Sequence, residues 1–144
     1  MLNLAKDKLS LEFPDMDKLI KRLKQLEVNS RPVAESALQD SHEIVTAAAR
    51  EAMDKHNRTG ETLSALRSTP VIEWTGDAAI ARVGFDIDNG TGKGMPSVYL
   101  MYGTPYLEKD QALYDAFYGR KIINAVKKAQ KKRFEAAVKK AMGG

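Results

Sequence analysis

Apolar and polar residues change period several times along this chain, and each change marks an element. Leu9-Ser-Leu-Glu-Phe13 alternates as a half-buried strand does, and Pro14 ends it. From Met16 the period lengthens. Met16, Leu19, Ile20, Leu23 and Leu26 recur at three- and four-residue steps, which predicts a helix with one apolar stripe, capped by Asp15 or Asp17. Ser30 as cap and Pro32 in the first turn open a second helix that runs to about His56. One side of it carries Ala34, Leu38, Ser41, Val45, Ala48 and Ala52, with Ala37, Ala47 and Ala49 nearby, so another backbone can come close there. Asn57-Arg58-Thr59-Gly60 reads as a turn. Thr59 or Thr62 then caps a short helix containing Leu63 and Leu66, which Pro70 closes.

The period drops to two again at Val71–Thr75 and Ala79–Phe85. Thr75-Gly76-Asp77 joins these strands and is the strongest hairpin signal in the chain, so the sheet is expected to be antiparallel. A loop with three glycines follows over Asp86–Pro96. An aromatic-rich run, Tyr99-Leu100-Met101-Tyr102, then stops at Gly103-Thr104-Pro105. Gly103 tolerates positive φ and Pro105 biases Thr104 towards extended backbone, which predicts a sharp corner. A mainly helical C-terminus begins near Glu108, with Gly119 as a break or bend. The pattern as a whole predicts one α+β domain over residues 1–144, a small antiparallel sheet packed by long amphipathic helices. Its parts are helical over 14–68, sheet and loop over 70–105, and helical again over 108–142.

Charge adds a division that the hydropathy pattern does not show. The net charge is +4, yet residues 119–144 hold nine Lys+Arg and one Glu, or +8, which leaves −4 for the rest. At 100° per residue, Lys121, Lys128, Lys132 and Lys139 fall along one line of the last helix, opposite Ile123, Val126, Phe134 and Ala137. Solvent, an acidic protein neighbour and nucleic acid are the three candidates for what that line faces.

Candidate chemistry is thin. Cysteine is absent, which removes thiolate catalysis, cysteine-ligated zinc and disulfides. Gly90-Thr-Gly-Lys-Gly94 fails as a phosphate loop, because Ile87 stands where the first glycine is needed and Gly94 where Ser or Thr must follow the lysine. Asp86-Ile-Asp88-Asn-Gly90 fails as a calcium loop, because Thr91 occupies the turn position and Ser97 the bidentate position. His42 and His56 have no metal-ligand or nucleophile spacing, and each is expected to be an exposed helical residue. Trp74 and the tyrosines are expected to pack in the core or on the sheet. No catalytic residue, cofactor or metal site is nominated. The opening residues lack a signal-peptide stretch and no segment reaches the ~18 apolar residues of a membrane span, so a soluble protein is expected.

A helix pair, a Thr-Gly followed by leucine and serine, a strand hairpin, an aromatic segment ending in Gly-Thr and a C-terminal helix, in that order, resemble the neck or tail-completion proteins of long-tailed bacteriophages. The matching positions are Thr59, Gly60, Leu63 and Ser64, then Tyr99, Tyr102, Gly103 and Thr104. The resemblance implies a structural virion protein, not an enzyme. It would be a subunit of a homo-oligomeric ring, with a hexamer among the options, assembled in the host bacterial cytoplasm and placed in the neck or tail. Its implied partners are further copies of itself, the head-closure or connector protein, and the tail terminator or tail tube protein. DNA would pass through the lumen without sequence-specific binding, and no membrane is involved. The residues expected to matter for structure or interface are Thr59, Gly60, Leu63, Tyr99, Tyr102, Gly103 and Thr104, together with Lys121, Lys128, Lys132 and Lys139. A free-standing basic nucleic-acid-binding protein is the alternative from another class.

Overall fold

The computed structural model describes residues 2–3, 8–54, 66, 71–76, 78–82 and 110–143. Its elements in chain order are β1 (Leu2–Asn3), β2 (Lys8–Ser10), α1 (Met16–Gln25), α2 (Ser30–Met53), β3 (Ile72–Thr75), β4 (Ala78–Arg82), α3 (Gln111–Tyr118) and α4 (Arg120–Ala141). The architecture is α+β in a single domain, with one antiparallel sheet of order β1-β2-β4-β3.

The hairpin forms where its turn residues require it. Thr75 pairs with Ala78, so the loop is Gly76-Asp77, and Gly76 has φ 61°, a conformation that costs glycine nothing. Ala79 and Ala81 turn inward onto Leu38 of α2, while Ile80 and Arg82 stay half-exposed, which is the alternation of a one-sided sheet. Leu9 lies opposite Ala81 in the β2–β4 pairing and is fully buried. At the far end of the hairpin, Arg31 donates to the Gly76 carbonyl at 3.0 Å and stacks 4.4 Å above the Trp74 ring. The Trp74 indole N–H donates to Glu35 at 3.0 Å. The start of α2 and the tip of the sheet are thus tied by three polar contacts around one aromatic ring.

Strand β2 is shorter at its end than the alternation from Leu9 to Phe13 suggests. It ends at Ser10 instead of Phe13, because the chain turns away from the sheet to place Phe13 against Phe134 at a centroid distance of 5.1 Å. The Glu12 N–H, which a strand would have bonded, donates to the Gln130 side chain instead. Helix starts also differ in detail. Asp15 stands at the N-cap of α1 with a left-handed φ of 65°, but its side chain makes no capping bond and pairs with Lys131 at 3.3 Å instead. Asn29, not Ser30, caps α2, accepting from the Arg31 N–H at 3.1 Å. Helix α2 runs to Met53, and His56, where the sequence places its end, lies outside the described residues. Leu66, the described residue of the expected short helix, lies in an isolated β-bridge and is buried. The last helical region starts at Gln111, with the Asp110 carboxylate accepting from the Leu113 N–H at 3.1 Å. Gly119 does break it, with extended backbone between α3 and α4.

The core sits between α2, α4 and the sheet. Val45, Ala49 and Met53 of α2 meet Val126 of α4, Leu113, Ala116 and Phe117 of α3, and Leu9. Earlier in α2, Ala34 and Ala37 meet Phe134, Leu23 and Phe13. Late α4 therefore packs on early α2, and the two long helices run antiparallel. The small side chains of α2 permit that close approach: Ala34, Ala37, Leu38, Ser41, Val45 and Ala49 are buried, Ala48 and Ala52 half-buried and Ala47 exposed. Leu23 carries most of the α1 stripe; its complete burial contributes roughly 1.5–3 kcal/mol.

The end of α1 offers a direct test of backbone conformation. The Val28 N–H bonds to the Leu23 carbonyl at 3.0 Å and the Glu27 N–H to the Lys24 carbonyl at 3.1 Å, with Glu27 left-handed at φ 58°. This termination favours glycine at the left-handed position. Glu27→Gly is expected to raise stability by about 0.5–1 kcal/mol, the relief of left-handed strain exceeding the extra freedom of the unfolded chain. A urea midpoint equal to or below that of the wild type would contradict it.

Candidate functional site

Helix α4 presents three different faces, and their residues fall at helical spacing. Val126, Gln130 and Phe134, four residues apart, are buried against α2 and the start of the chain. Gln130 is polar yet fully buried, and all its groups are used. Its carbonyl accepts from the Glu12 N–H at 3.0 Å, and its amide donates to the Ser10 carbonyl at 3.1 Å and to the Ser41 hydroxyl at 3.0 Å. The Ser41 hydroxyl in turn donates a hydrogen bond to the Ala37 carbonyl at 2.8 Å. One side chain thus joins the end of β2, the middle of α2 and α4.

The flanks of α4 carry cations with partners. On one side Lys131 pairs with Asp15, just ahead of α1. On the other, Arg133 grips Asp40 of α2 with two nitrogens, Nε to Oδ2 and Nη2 to Oδ1, the second at 3.1 Å. The hydrogen bond to Asp40, and after it the charge of that carboxylate, hold the Arg133 pKa above its ordinary value. The guanidinium lies at the surface, so the pair steers the helix more than it stabilises it.

The third face is the lysine line. Lys121, Lys128, Lys132 and Lys139 are all exposed, and among the described residues none of them is in an ion pair. At 1.5 Å per residue the row is ~27 Å long. Glu135 is the single carboxylate of α4, and no aromatic residue lies on this face.

Two open grooves border the same helix. One, of about 690 Å³, lies between the end of α2, α3 and the start of α4; Ala48, Ala52, Ala112, Ala116, Ile122 and Ala125 give it a small-residue floor. The other, of about 610 Å³, lies between the start of α2 and the end of α4, with Pro32, Val33, Ala136 and Ala137 among its walls.

The other sequence candidates fare differently. Thr59, Gly60, Leu63, Tyr99, Tyr102, Gly103 and Thr104 lie outside the described residues, as do His56, Ser64 and the loop over Asp86–Pro96. His42 is not exposed as expected. It is buried on the inner face of α2, with Nδ1 3.3 Å from the Thr46 hydroxyl, because that face is covered by the rest of the fold. Tyr114 and Tyr118 stack at 4.9 Å and pack on the main core, in line with a structural role. Among the described residues no three His, Asp or Glu side chains gather closely enough to hold a metal ion, and no helix is long and apolar enough to cross a membrane. Sequence reasoning missed Gln130 and the Arg133–Asp40 pair. A glutamine interrupting the apolar line between Val126 and Phe134 was the available signal for the first; the second depends on how α2 and α4 align.

No protein-family model, curated protein or solved structure matches this chain.

Proposed function

We propose that this protein is a structural subunit of a phage neck or tail-completion ring, joining the head connector to the tail tube. Its work is geometric, not catalytic. The observation that carries the reading is the element order within one α+β domain: a helix pair, a strand hairpin, and a long C-terminal helix that returns across the pair. This is the order the resemblance implies. The groove between α2, α3 and α4 supports it further, since its alanines leave room for a segment of a neighbouring subunit and its charged residues, Glu51, Asp54, Asp115, Arg120 and Lys121, can pair with that segment's polar side. Repeating one such heterologous contact around an axis closes a ring. The head-closure or connector protein lies on one side of that ring and the tail terminator or tail tube on the other. DNA crosses the lumen without being read, and the assembled ring belongs to the virion.

The test is genetic and visual. Removing the protein from an infecting phage should leave filled heads and finished tails that do not join, and electron microscopy of complete particles should place the protein at the joint. A normal yield of infectious virions without it would reject the assignment.

A further inference from the structure

We propose that the outer face of α4 is a contact surface for the phosphate backbone of duplex DNA, with Lys121, Lys128, Lys132 and Lys139 as the contacting groups. The fold sets these four apart from the two cations of the helix that are tied into ion pairs. Lys131 and Arg133 are held by Asp15 and Asp40, whereas the four lysines are exposed and in no ion pair among the described residues, although Lys121 shares a groove with Glu51, Asp54 and Asp115, Lys132 one with Asp40 and Glu43, and Lys139 one with Glu135. Ordinary surface helices intersperse both signs of charge; this one carries nine cations and one acid over residues 119–144.

The chemistry of the row selects the occupant. Lysine is a compact charge on a flexible stem, suited to a uniform anionic rod that presents one charge per ~1.7 Å of axis and requires no matched geometry. A protein partner would call for a different composition, because interface cores are enriched in aromatic residues, methionine and arginine and depleted of lysine. The row has no aromatic, and the apolar side of the helix is already buried against α2. Neighbouring α1 widens the surface. Lys18, Lys21, Arg22 and Lys24 are all exposed there, and α1 is held beside α4 by the Lys131–Asp15 pair and by Arg22, whose Nη2 lies 3.8 Å from the Met142 sulfur. Contacts of this kind fix affinity and position but read no sequence. The inference does not depend on ring assembly, since it concerns the dispersed chain.

The experiment is a salt titration of the full chain with fluorescent 30-base-pair duplexes of two unrelated sequences, read by anisotropy. If all four lysines meet phosphates they contribute about −3.6 to the log–log salt slope, so their share of the affinity falls ~150-fold between 50 and 200 mM salt. The variant with all four changed to Gln should lose that share of the slope for both sequences alike. The double variant Lys128→Gln with Lys132→Gln should lose about half of it, and also serves if the quadruple variant folds poorly. A control with the same charge change away from α1 and α4, Arg50→Gln with Arg82→Gln, should alter the slope less than that double variant. Four results would overturn the proposal: no binding by the wild type at 50 mM salt, an unchanged slope in the lysine variants, equal losses in the control, or stronger binding to anionic vesicles than to DNA.

Discussion

Replacing Gln130 with alanine is expected to destabilise the protein by about 3–5 kcal/mol, because a buried hydrogen-bonding centre and its volume vanish together. Three groups lose their bond to it: the buried Ser41 hydroxyl, which keeps its bond to Ala37, and the Ser10 carbonyl and Glu12 N–H, which lie nearer the surface where water softens the loss. Each buried group left without a partner costs about 1–3 kcal/mol, and the net stability of a domain this size is only about 5–15 kcal/mol. Polar loss and cavity can be told apart. Gln130→Leu restores most of the volume but none of the bonds, so it should remain at least ~2 kcal/mol below the wild type. Denaturant unfolding of the three proteins checks this. A leucine variant as stable as the wild type would mean that packing alone holds the helices to the end of β2.

The second large effect is expected at Gly119. Its φ of −64° and ψ of 145° suit any residue, so backbone preference alone predicts that alanine would stabilise the chain by restricting the unfolded state. Space decides otherwise. A Cβ there would lie 2.7 Å from the Asp115 carbonyl oxygen and 3.0 Å from the Asp115 Cβ. Relief is difficult, because the Gly119 N–H bonds that same oxygen at 2.9 Å and fixes the approach. Moving α3 away would also disturb Phe117 and Ala116 in the core. Gly119→Ala should therefore lose about 1–3 kcal/mol, the usual range for overpacking, with a lower melting temperature in calorimetry. An alanine variant that melts at or above the wild-type temperature would show that the α3–α4 corner yields freely.

The two predictions mark the boundary of what the sequence disclosed. Period and punctuation are local, and they placed the apolar stripe of α1, the small-residue face of α2, the Gly76 hairpin and the break at Gly119. The misreadings share a long-range cause. Asp15 has the chemistry of a cap, but a lysine more than a hundred positions away takes its carboxylate. Asn29 and Ser30 are both good caps, and only the backbone path decides for Asn29. The strand from Leu9 stops early because Phe13 is drawn to Phe134 and Gln130 takes the Glu12 amide. His42 resembles any surface histidine until the face of α2 that points inward is known. For the candidate site, the lysine line was legible because helical geometry fixes it. The separate fates of Lys131 and Arg133 were not, since they depend on where α1 and α2 lie.

The clasp between the two ends of the fold also sets an order of events during synthesis. Residues 10–13 close on residues 130–134, and α1 and α2 leave the ribosome long before α4 exists. At an elongation rate of about 5–20 residues per second, roughly 5–20 s pass between the end of α1 and the start of α4. Through that interval Leu23, Ala34 and Ala37 lack the Phe134 surface that will cover them. Until α4 has been made, the helix pair therefore exposes apolar surface, and the native core closes only when α4 docks on it.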